Sequence, residues 1–335
     1  MIDLTSGRST TRWGGVAGEH ASVADFERRE SLVDGLHTIH GGPVPIDVLV
    51  RLKPRHPLVF SFHGNTPRNP ELKLPVFTGL NVTRDLDASF VALSDPSLYL
   101  DPNLKLAWFS GSSGWNLQTV LKQVLRKIIA IAATDDLIFF GGSGGGFASL
   151  YYSAAFPGSL AMVWNPQTDI AAYNPPHVAE YGKVAFGLPD HSTTTSVLPT
   201  LTESNLARVY DGAPSNYVVY LQNNSDGHVI THMRPFLTSL GADIAAVQKG
   251  AELNCIMAPG VRIFMSEWGE GHVPPPPAVL ARFLTAAISA AGHWPAMLAS
   301  EWFGRLLRET IDTHATSPAS SAAMPPHSAI APDLP

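Results

Sequence analysis

The sequence predicts an α/β fold with a mostly parallel central sheet and helices on both faces. Short β-rich runs alternate along the chain with segments long enough to form helices. Several of these runs are apolar at consecutive positions, which is typical of strands that are covered on both faces. The 335 residues, 45% of them hydrophobic, are enough for one large or two ordinary domains with a packed core.

The predicted strands leave room for helices between them. They are residues 46–52, 58–62, 90–93, 104–109, 137–140, 160–164, 217–221 and 261–265. Helices are predicted at 117–133, 278–290 and 296–311, and the first of these places Leu117, Leu121 and Val124 on one apolar stripe.

Composition divides the chain into a central domain and less regular segments. We expect an N-terminal extension over 1–40 and an α/β domain over 41–314. An insertion at about 167–216 is rich in Pro, Thr, Ser and Tyr and has weak periodicity, so it is predicted to cover the sheet as a lid or as a long structural loop. Residues 315–335 read as a disordered Pro/Ala/Ser tail.

Charge and cysteine content argue against several classes of protein. The net charge is −6, so no basic surface for nucleic acid is expected. The single cysteine, Cys255, excludes an internal disulfide and a CxxC metal site. The longest aliphatic run, 128–133, is far shorter than the ~20 residues of a membrane span. The first residues lack the features of a signal peptide, so a cytoplasmic location is expected.

The segment 137–150, LIFFGGSGGGFASL, carries the strongest functional signal. A β-rich run enters a glycine-rich turn around Ser143, and a helix-forming run leaves it. A strained strand-to-helix turn needs glycine around its tip because side chains two positions to either side would collide. Such a turn exposes the hydroxyl and aims a helix N-terminus at it. The alternative is a phosphate-binding or structural turn, although no lysine follows as in a P-loop.

This strand–GGSGG–helix unit resembles the nucleophile elbow of the α/β-hydrolase superfamily. The apolar run that ends in His63-Gly64-Asn65 resembles the superfamily's HG loop, upstream of the elbow. The resemblance implies an oxyanion hole made by the N–H of Gly144 and an N–H near Asn65 or Gly64, with His63 as a structural residue. The HGGG pattern of some lipases and esterases is not present.

The superfamily order of serine, acid and histidine implies the two remaining catalytic positions. Asp226 follows the strand YVVYL, and His272 follows the strand VRIFM. By this resemblance His272 takes the proton of Ser143 and Asp226 orients the imidazole. Asp169 is an alternative acid, because some members place the acid after the preceding strand.

Other polar residues near these loops have simpler interpretations. His228 and His232 are expected to be a surface pair or helix-cap contacts rather than the base, and their spacing of four lacks the further ligands of a zinc site. Glu267 and Glu270 are expected at a solvated edge.

Two of the tryptophans lie in loops at the expected site. Trp115 and Trp268 are candidates for substrate stacking, with ordinary packing as the alternative. Trp108 and Trp164 are expected to be core residues.

We therefore expect a serine hydrolase that cleaves a carboxylic ester through an acyl-enzyme and needs no metal or organic cofactor. Acyl transfer, thioesterase activity and a non-catalytic scaffold role remain alternatives. The segments HGN, GGSGGGFASL, WNPQTD and QNNSDGHV resemble bacterial α/β-hydrolase-like proteins linked to capsule and surface-polysaccharide biosynthesis. This second resemblance implies a small-molecule or glycan acyl substrate.

Overall fold

A computed structural model describes residues 7–69, 71–212 and 214–315, with the side chains described as far as residue 308. In these ranges ten strands form a single sheet. They are β1 (Val16–His20), β2 (Gly35–His40), β3 (Pro45–Arg51), β4 (Leu58–Phe62), β5 (Ser89–Leu93), β6 (Leu137–Gly142), β7 (Leu160–Trp164), β8 (Tyr217–Asn223), β9 (Leu253–Ala258) and β10 (Val261–Ser266).

The central strands run parallel to one another. The strand order is β1-β2-β3-β5-β4-β6-β7-β8-β10-β9. The neighbours from β5 to β10 pair in parallel, whereas β3 pairs antiparallel with both β2 and β5, and β9 pairs antiparallel with β10. Every residue of β4, β5, β6 and β10 is buried, as the unbroken apolar runs predict.

Helices cover both faces of this sheet. They are α1 (Val23–Glu27), α2 (Leu80–Thr83), α3 (Leu117–Ala132), α4 (Gly144–Ser153), α5 (Pro175–Phe186), α6 (His191–Leu201), α7 (Leu206–Val209), α8 (Arg234–Ser239), α9 (Pro277–Ser289), α10 (Trp294–Ala299) and α11 (Glu301–Ala315). Short 3₁₀ helices lie at Thr11–Trp13 and Pro96–Leu100, and a π-helical turn lies at Val229–Met233. Helices α3 and α4 belong to one apolar core, and α9, α10 and α11 belong to a second core on the other face. The predicted fold class is confirmed.

The N-terminal part of the chain takes part in the sheet. Residues 16–40, which composition assigns to an extension, contain β1 and β2. The Arg8 guanidinium forms an ion pair with the buried Asp47 at 2.6 Å, which ties the start of the described chain to β3. The sequence prediction missed β1 and β2 because neither contains an unbroken apolar run.

Two predicted elements differ from the structure. The predicted strand at 104–109 is irregular, and Trp108 and Phe109 adopt left-handed backbone conformations there. The predicted helix at 296–311 is two helices, because Ser300 is extended with ψ 147°. The Arg262 guanidinium binds the carbonyl oxygens of Leu298 and Ser300 at this break.

The segment 167–216 contains the helices α5, α6 and α7, which irregular stretches connect. The buried Tyr181 of α5 donates a hydrogen bond to the Gly111 carbonyl at 2.9 Å, which holds α5 to the loop before α3. The action of the segment 167–216 as a lid stays a prediction. The predicted tail at 315–335 lies outside the described residues apart from Ala315. No helix in the described ranges has the length and apolar character to cross a bilayer.

Parallel strands bring their carboxyl ends to one edge of the sheet. The loops after β4, β6, β7, β8 and β10 therefore begin side by side. The register shows this directly, since Asn223 at the end of β8 pairs with Ser266 at the end of β10.

Candidate active site

Ser143 lies at the tip of a strained turn between β6 and α4. Its backbone has φ 55° and ψ −122°, a conformation that side-chain-bearing residues rarely adopt. The Ser143 N–H donates to the Trp164 carbonyl at 3.0 Å, and the Ser143 carbonyl accepts from the N–H of Gly146 at 3.0 Å. The strain is therefore held by backbone hydrogen bonds on both sides of the residue.

Close backbone contacts require glycine at two positions near Ser143. A Cβ on Gly145 would overlap the Phe62 carbonyl, and a Cβ on Gly141 would overlap the Gly145 carbonyl. The elbow thus packs against the end of β4 at backbone distance. These are the collisions two positions from the serine that the sequence motif predicts.

Ser143, His272 and Asp226 form a continuous chain of hydrogen bonds. The Ser143 Oγ lies 3.0 Å from His272 Nε2, and His272 Nδ1 lies 2.6 Å from Asp226 Oδ2. A carboxylate accepts hydrogen bonds only, so Nδ1 carries the imidazole proton and Nε2 is left as an acceptor. His272 can therefore accept the Ser143 hydroxyl proton.

Asp226 is buried and charged. Its side chain is 4% exposed, and that of His272 is 40% exposed. Burial alone would raise the pKa of Asp226, but the hydrogen bond from His272, the nearby His228 ring and the His228 N–H, at 3.0 Å from Oδ1, hold the pKa below its usual value. A negative charge is thus maintained behind the exposed imidazole.

His228 lies beside His272 but makes different contacts. The two ring centroids are 4.3 Å apart, and His228 Nδ1 donates to the Asn165 carbonyl at 3.1 Å. Burial lowers the pKa of His228 to about 4, so this ring is neutral at pH 7. His232 is fully buried, and its Nδ1 accepts from the Thr168 N–H at 3.3 Å. Within the described ranges, neither ring bonds to Ser143.

The alternative acid, Asp169, lies in another environment. Its carboxylate accepts from the Asn205 side chain at 3.0 Å and from the Ala171 N–H at 2.9 Å, as in a turn. Glu267 and Glu270 are exposed, as expected for a solvated edge.

The described residues contain one group of potential metal ligands. Asp226, His228 and His272 offer ligand atoms within 4.8 Å of one another. A cation there would have to replace the hydrogen bond between Asp226 and His272.

Two backbone N–H groups beside Ser143 have no acceptor in the part of the chain that the structure describes. They belong to Gly144, the first residue of α4, and to Asn65, which is exposed. Gly64 lies against the elbow, since a Cβ there would be 3.4 Å from the Ser143 Cβ. Gly64 is half-buried, and because it has no side chain the loop after β4 can lie close to the elbow.

His63 orients the loop that contains Asn65. Its Nε2 accepts from the Asp95 N–H at 2.9 Å, so the proton is on Nδ1, which donates to the Gly64 carbonyl at 2.8 Å. In a trans peptide the N–H points opposite to the carbonyl. Fixing the Gly64 carbonyl toward His63 therefore directs the Asn65 N–H away from it. Burial lowers the pKa of His63 to about 4, which keeps this ring neutral.

The two candidate stacking residues are placed differently. Trp115 is 7% exposed, and its indole N–H donates to the Gly41 carbonyl at 3.1 Å, in the turn between β2 and β3. Trp268 is half-buried, packs against the second core, and its backbone N–H donates to Asn223 Oδ1 at 3.0 Å. The contacts of Trp115 fit the packing alternative, and a stacking role for Trp268 stays a prediction.

Sequence reasoning missed three side-chain amides at this site. Gln167 Nε2 donates to Ser143 Oγ at 2.9 Å. Asn223 Nδ2 donates to the carbonyls of Gly269 and Gly271, and Asn165 Nδ2 donates to the Val273 carbonyl at 2.7 Å. Their position at strand ends was the available signal, but an amide at a strand end is also common in ordinary turns.

Comparison with known proteins gives matches in structure only. Neither a family model nor a curated protein matches the chain in sequence. The capsule O-acetyltransferase of Neisseria meningitidis serogroup A superposes with a TM-score of 0.51 at 13% identity, over 82% of this chain and 96% of that chain.

Two further solved structures are more distant. The glycosylation-associated Gap123 complex of Streptococcus agalactiae has a TM-score of 0.48 at 13% identity and covers 71% of this chain and 42% of that chain. The S-formylglutathione hydrolase of Agrobacterium tumefaciens has a TM-score of 0.44 at 13% identity, over 82% of this chain and 95% of that chain.

In the sheet, β5 and β4 are exchanged relative to their order in the sequence, and the elbow lies between β6 and α4. The chain has the α/β-hydrolase fold. This is the fold that the elbow and HG motifs predict. At this level of identity the similarity establishes the fold alone.

Proposed function

We propose that this α/β-hydrolase-fold protein is a serine hydrolase that cleaves a carboxylic ester through an acyl-enzyme. The observation that carries the proposal is the unbroken hydrogen-bond chain from Ser143 through His272 to Asp226. This chain starts from a serine in a strained elbow, which is the arrangement that activates a weakly nucleophilic hydroxyl.

The reaction follows from these contacts. The Ser143 proton moves to His272 Nε2 as Oγ bonds to the acyl carbon, and the carbonyl oxygen becomes an oxyanion. The N–H groups of Gly144 and Asn65, which have no acceptor among the described residues, are the candidate donors to that oxyanion. His272 then gives its proton to the leaving alcohol as the bond to the alcohol breaks. Water repeats the sequence and releases the acid.

Acyl transfer to a hydroxyl group is the second candidate. It shares the acyl-enzyme and differs only in the acceptor that attacks it. The most similar structure described above is named a capsule O-acetyltransferase, which makes a glycan hydroxyl the acceptor to test beside water. Product analysis with and without an oligosaccharide acceptor distinguishes the two reactions.

The first test is the intact mass of the protein after incubation with a fluorophosphonate. We expect one adduct on the wild type and none on Ser143→Ala. His272→Ala should slow labelling and p-nitrophenyl acetate hydrolysis by about 10⁴-fold.

The matched control for His272→Ala is His228→Phe, which replaces a ring that makes no bond to Ser143. It should retain activity within about tenfold of the wild type. A folded wild type that forms no adduct, or a His228 variant that fails as completely as the His272 variant, would contradict the proposed triad.

A further inference from the structure

Gln167 contacts Ser143 twice. Its backbone N–H donates to the Ser143 carbonyl at 3.1 Å, and its side-chain Nε2 donates to the Ser143 Oγ at 2.9 Å. The side chain is fully buried just after β7. The reacting oxygen therefore has a second polar neighbour besides His272.

Trp108 determines which end of the Gln167 amide faces the serine. The indole N–H of Trp108 bonds to Gln167 Oε1. An indole N–H is a donor only, so the amide oxygen must face Trp108 and the amide NH₂ must face Ser143. The Gln167 amide is thus held as a hydrogen-bond donor to Oγ.

The position of Trp108 is itself held by a buried network. Trp108 has φ 53° and Phe109 has φ 55°, and such left-handed residues persist only when their surroundings fix them. The Phe109 N–H donates to Asp95 Oδ2 at 2.7 Å, and the Phe109 carbonyl accepts from the Tyr152 hydroxyl at 2.8 Å. The Trp108 ring packs edge-on against Tyr181.

We propose that Gln167 is a catalytic residue that stabilises charge on the Ser143 Oγ, and that Trp108 is a positioning residue acting through Gln167. This inference rests on the proposed function. The amide gives a hydrogen bond and transfers no proton, because the Ser143 proton moves to His272 Nε2 and returns from it. Oγ has one donor and two acceptor positions, so Gln167 uses one lone pair and leaves the other for attack.

Acylation and deacylation depend to different degrees on the hydrogen bond from the Gln167 amide to Ser143 Oγ. During acylation the donor favours removal of the Ser143 proton but also makes the oxygen less nucleophilic, so the two effects oppose each other. During deacylation Oγ leaves the acyl carbon with developing negative charge, and a hydrogen-bond donor stabilises it. Loss of the donor should therefore slow deacylation more than acylation.

The experiment measures both steps with p-nitrophenyl acetate, taking acylation from the burst and deacylation from the steady state. Gln167→Met should slow deacylation by about 10- to 100-fold and acylation by less than about tenfold. Acetyl-enzyme should then accumulate in the intact mass spectrum. Gln167→Glu should slow deacylation at least as much, because its carboxylate presents no donor to Oγ.

Trp108→Phe tests the positioning role. It removes the indole N–H, so its deacylation rate should lie between those of the wild type and Gln167→Met. The double variant should be no slower than Gln167→Met alone, since Trp108 acts through the amide. The matched control is Gln118→Met, which removes a different buried amide, bonded to the Glu203 backbone. It should leave the ratio of the two rates unchanged.

The outcomes separate this inference from the proposed function. Adducts on the wild type together with equal slowing of both steps in Gln167→Met would mean a structural role and overturn the inference alone. Unchanged rates of acylation and deacylation in Gln167→Met would also overturn the inference and leave the proposed function standing. If Gln167→Met does not fold, Trp108→Phe decides, and an unchanged deacylation rate there overturns the inference. Absence of a phosphonate adduct on the wild type would instead refute the proposed function.

Discussion

The nucleophile and the base of this site are held in place by different means. Ser143 lies between a buried strand and a helix, and its own N–H and carbonyl bond to backbone groups of neighbouring segments. His272 lies in a loop without regular structure, and its side chain is 40% exposed. The serine is therefore positioned by the fold itself, whereas the histidine needs additional support.

That support comes from polar side chains on neighbouring loops. Asn223 Nδ2 bonds to the carbonyls of Gly269 and Gly271 at 2.8 and 2.6 Å, and the Ser225 hydroxyl donates to the Gly269 carbonyl at 2.7 Å. On the other side of His272, Asn165 Nδ2 bonds to the Val273 carbonyl. We call Asn165, Asn223 and Ser225 the loop clamp. This difference implies that substitutions in the elbow should destabilise the fold, whereas substitutions around the His272 loop should displace the imidazole and leave the protein folded.

The largest effect is expected from Gly145→Ala in the elbow. A Cβ there would overlap the Phe62 carbonyl, so β4 and the elbow must separate. We expect activity to fall at least about 100-fold and the free energy of unfolding to fall by about 1–3 kcal/mol. Thermal melts and ester hydrolysis measure the two quantities.

Gly227→Ala is the matched control for the elbow, because a Cβ at Gly227 meets nothing within 4 Å. Its melting temperature should stay near that of the wild type. An active and stable Gly145→Ala would show that close packing of the elbow on β4 is unnecessary, and the contrast with the His272 loop would disappear.

The same contrast explains what could be predicted from the sequence. The elbow is encoded locally, by an apolar run, glycines and a helix-forming run, so its position follows from the pattern around Ser143. The central strands can also be predicted from the sequence, because both of their faces are buried and their apolar residues therefore stand at consecutive positions. The superfamily resemblance implies Asp226 and His272 in the loops that follow β8 and β10, and the structure brings both into one chain of hydrogen bonds.

The remaining features depend on contacts between distant segments. Residues 104–109 have the composition of a strand, but Asp95 and Tyr152 bind the Phe109 backbone and hold a left-handed turn. Asn165 and Gln167 have no local pattern that separates them from turn residues. Their roles come from the atoms across the sheet edge that they contact, and a single sequence does not contain that distance information.

A smaller effect is expected from opening the loop clamp. Asn223→Ala removes three hydrogen bonds to the His272 loop, those to the carbonyls of Gly269 and Gly271 and that from the Trp268 N–H. Gly269 and Gly271 are only half-buried, so water can reach the carbonyls that lose their donor. We expect kcat to fall about 10- to 100-fold because the imidazole loses its fixed position, while the melting temperature changes by only a few degrees. Steady-state kinetics and thermal melts on the same samples give both values.

Asn224→Ala serves as the control for the loop clamp. The Asn224 amide points toward the Gly250 carbonyl, at 3.4 Å, and makes no contact with the His272 loop in the described structure. Its kcat should remain within about twofold of the wild type. A loss of folding in Asn223→Ala, or equal losses of kcat in both variants, would mean that the clamp supports the sheet edge rather than the base.

The smallest effect on activity is expected at His228, the buried histidine beside His272, whose titration appears instead as a pH dependence of stability. Burial lowers the pKa of His228 to about 4, below the value of about 6.5 expected in the unfolded chain. Between these values the unfolded chain binds a proton that the folded protein does not, so stability is lost as the pH falls below 6.5. At pH 5 this loss amounts to about 2 kcal/mol for one such group.

The variant His228→Phe keeps an aromatic ring at this position and removes the titration. Compared with the wild type, its melting temperature should therefore fall less between pH 7 and pH 5. An identical fall in both proteins would mean that His228 takes up its proton as readily in the folded protein as in the unfolded chain, and His272 would then have a cationic neighbour at pH 5.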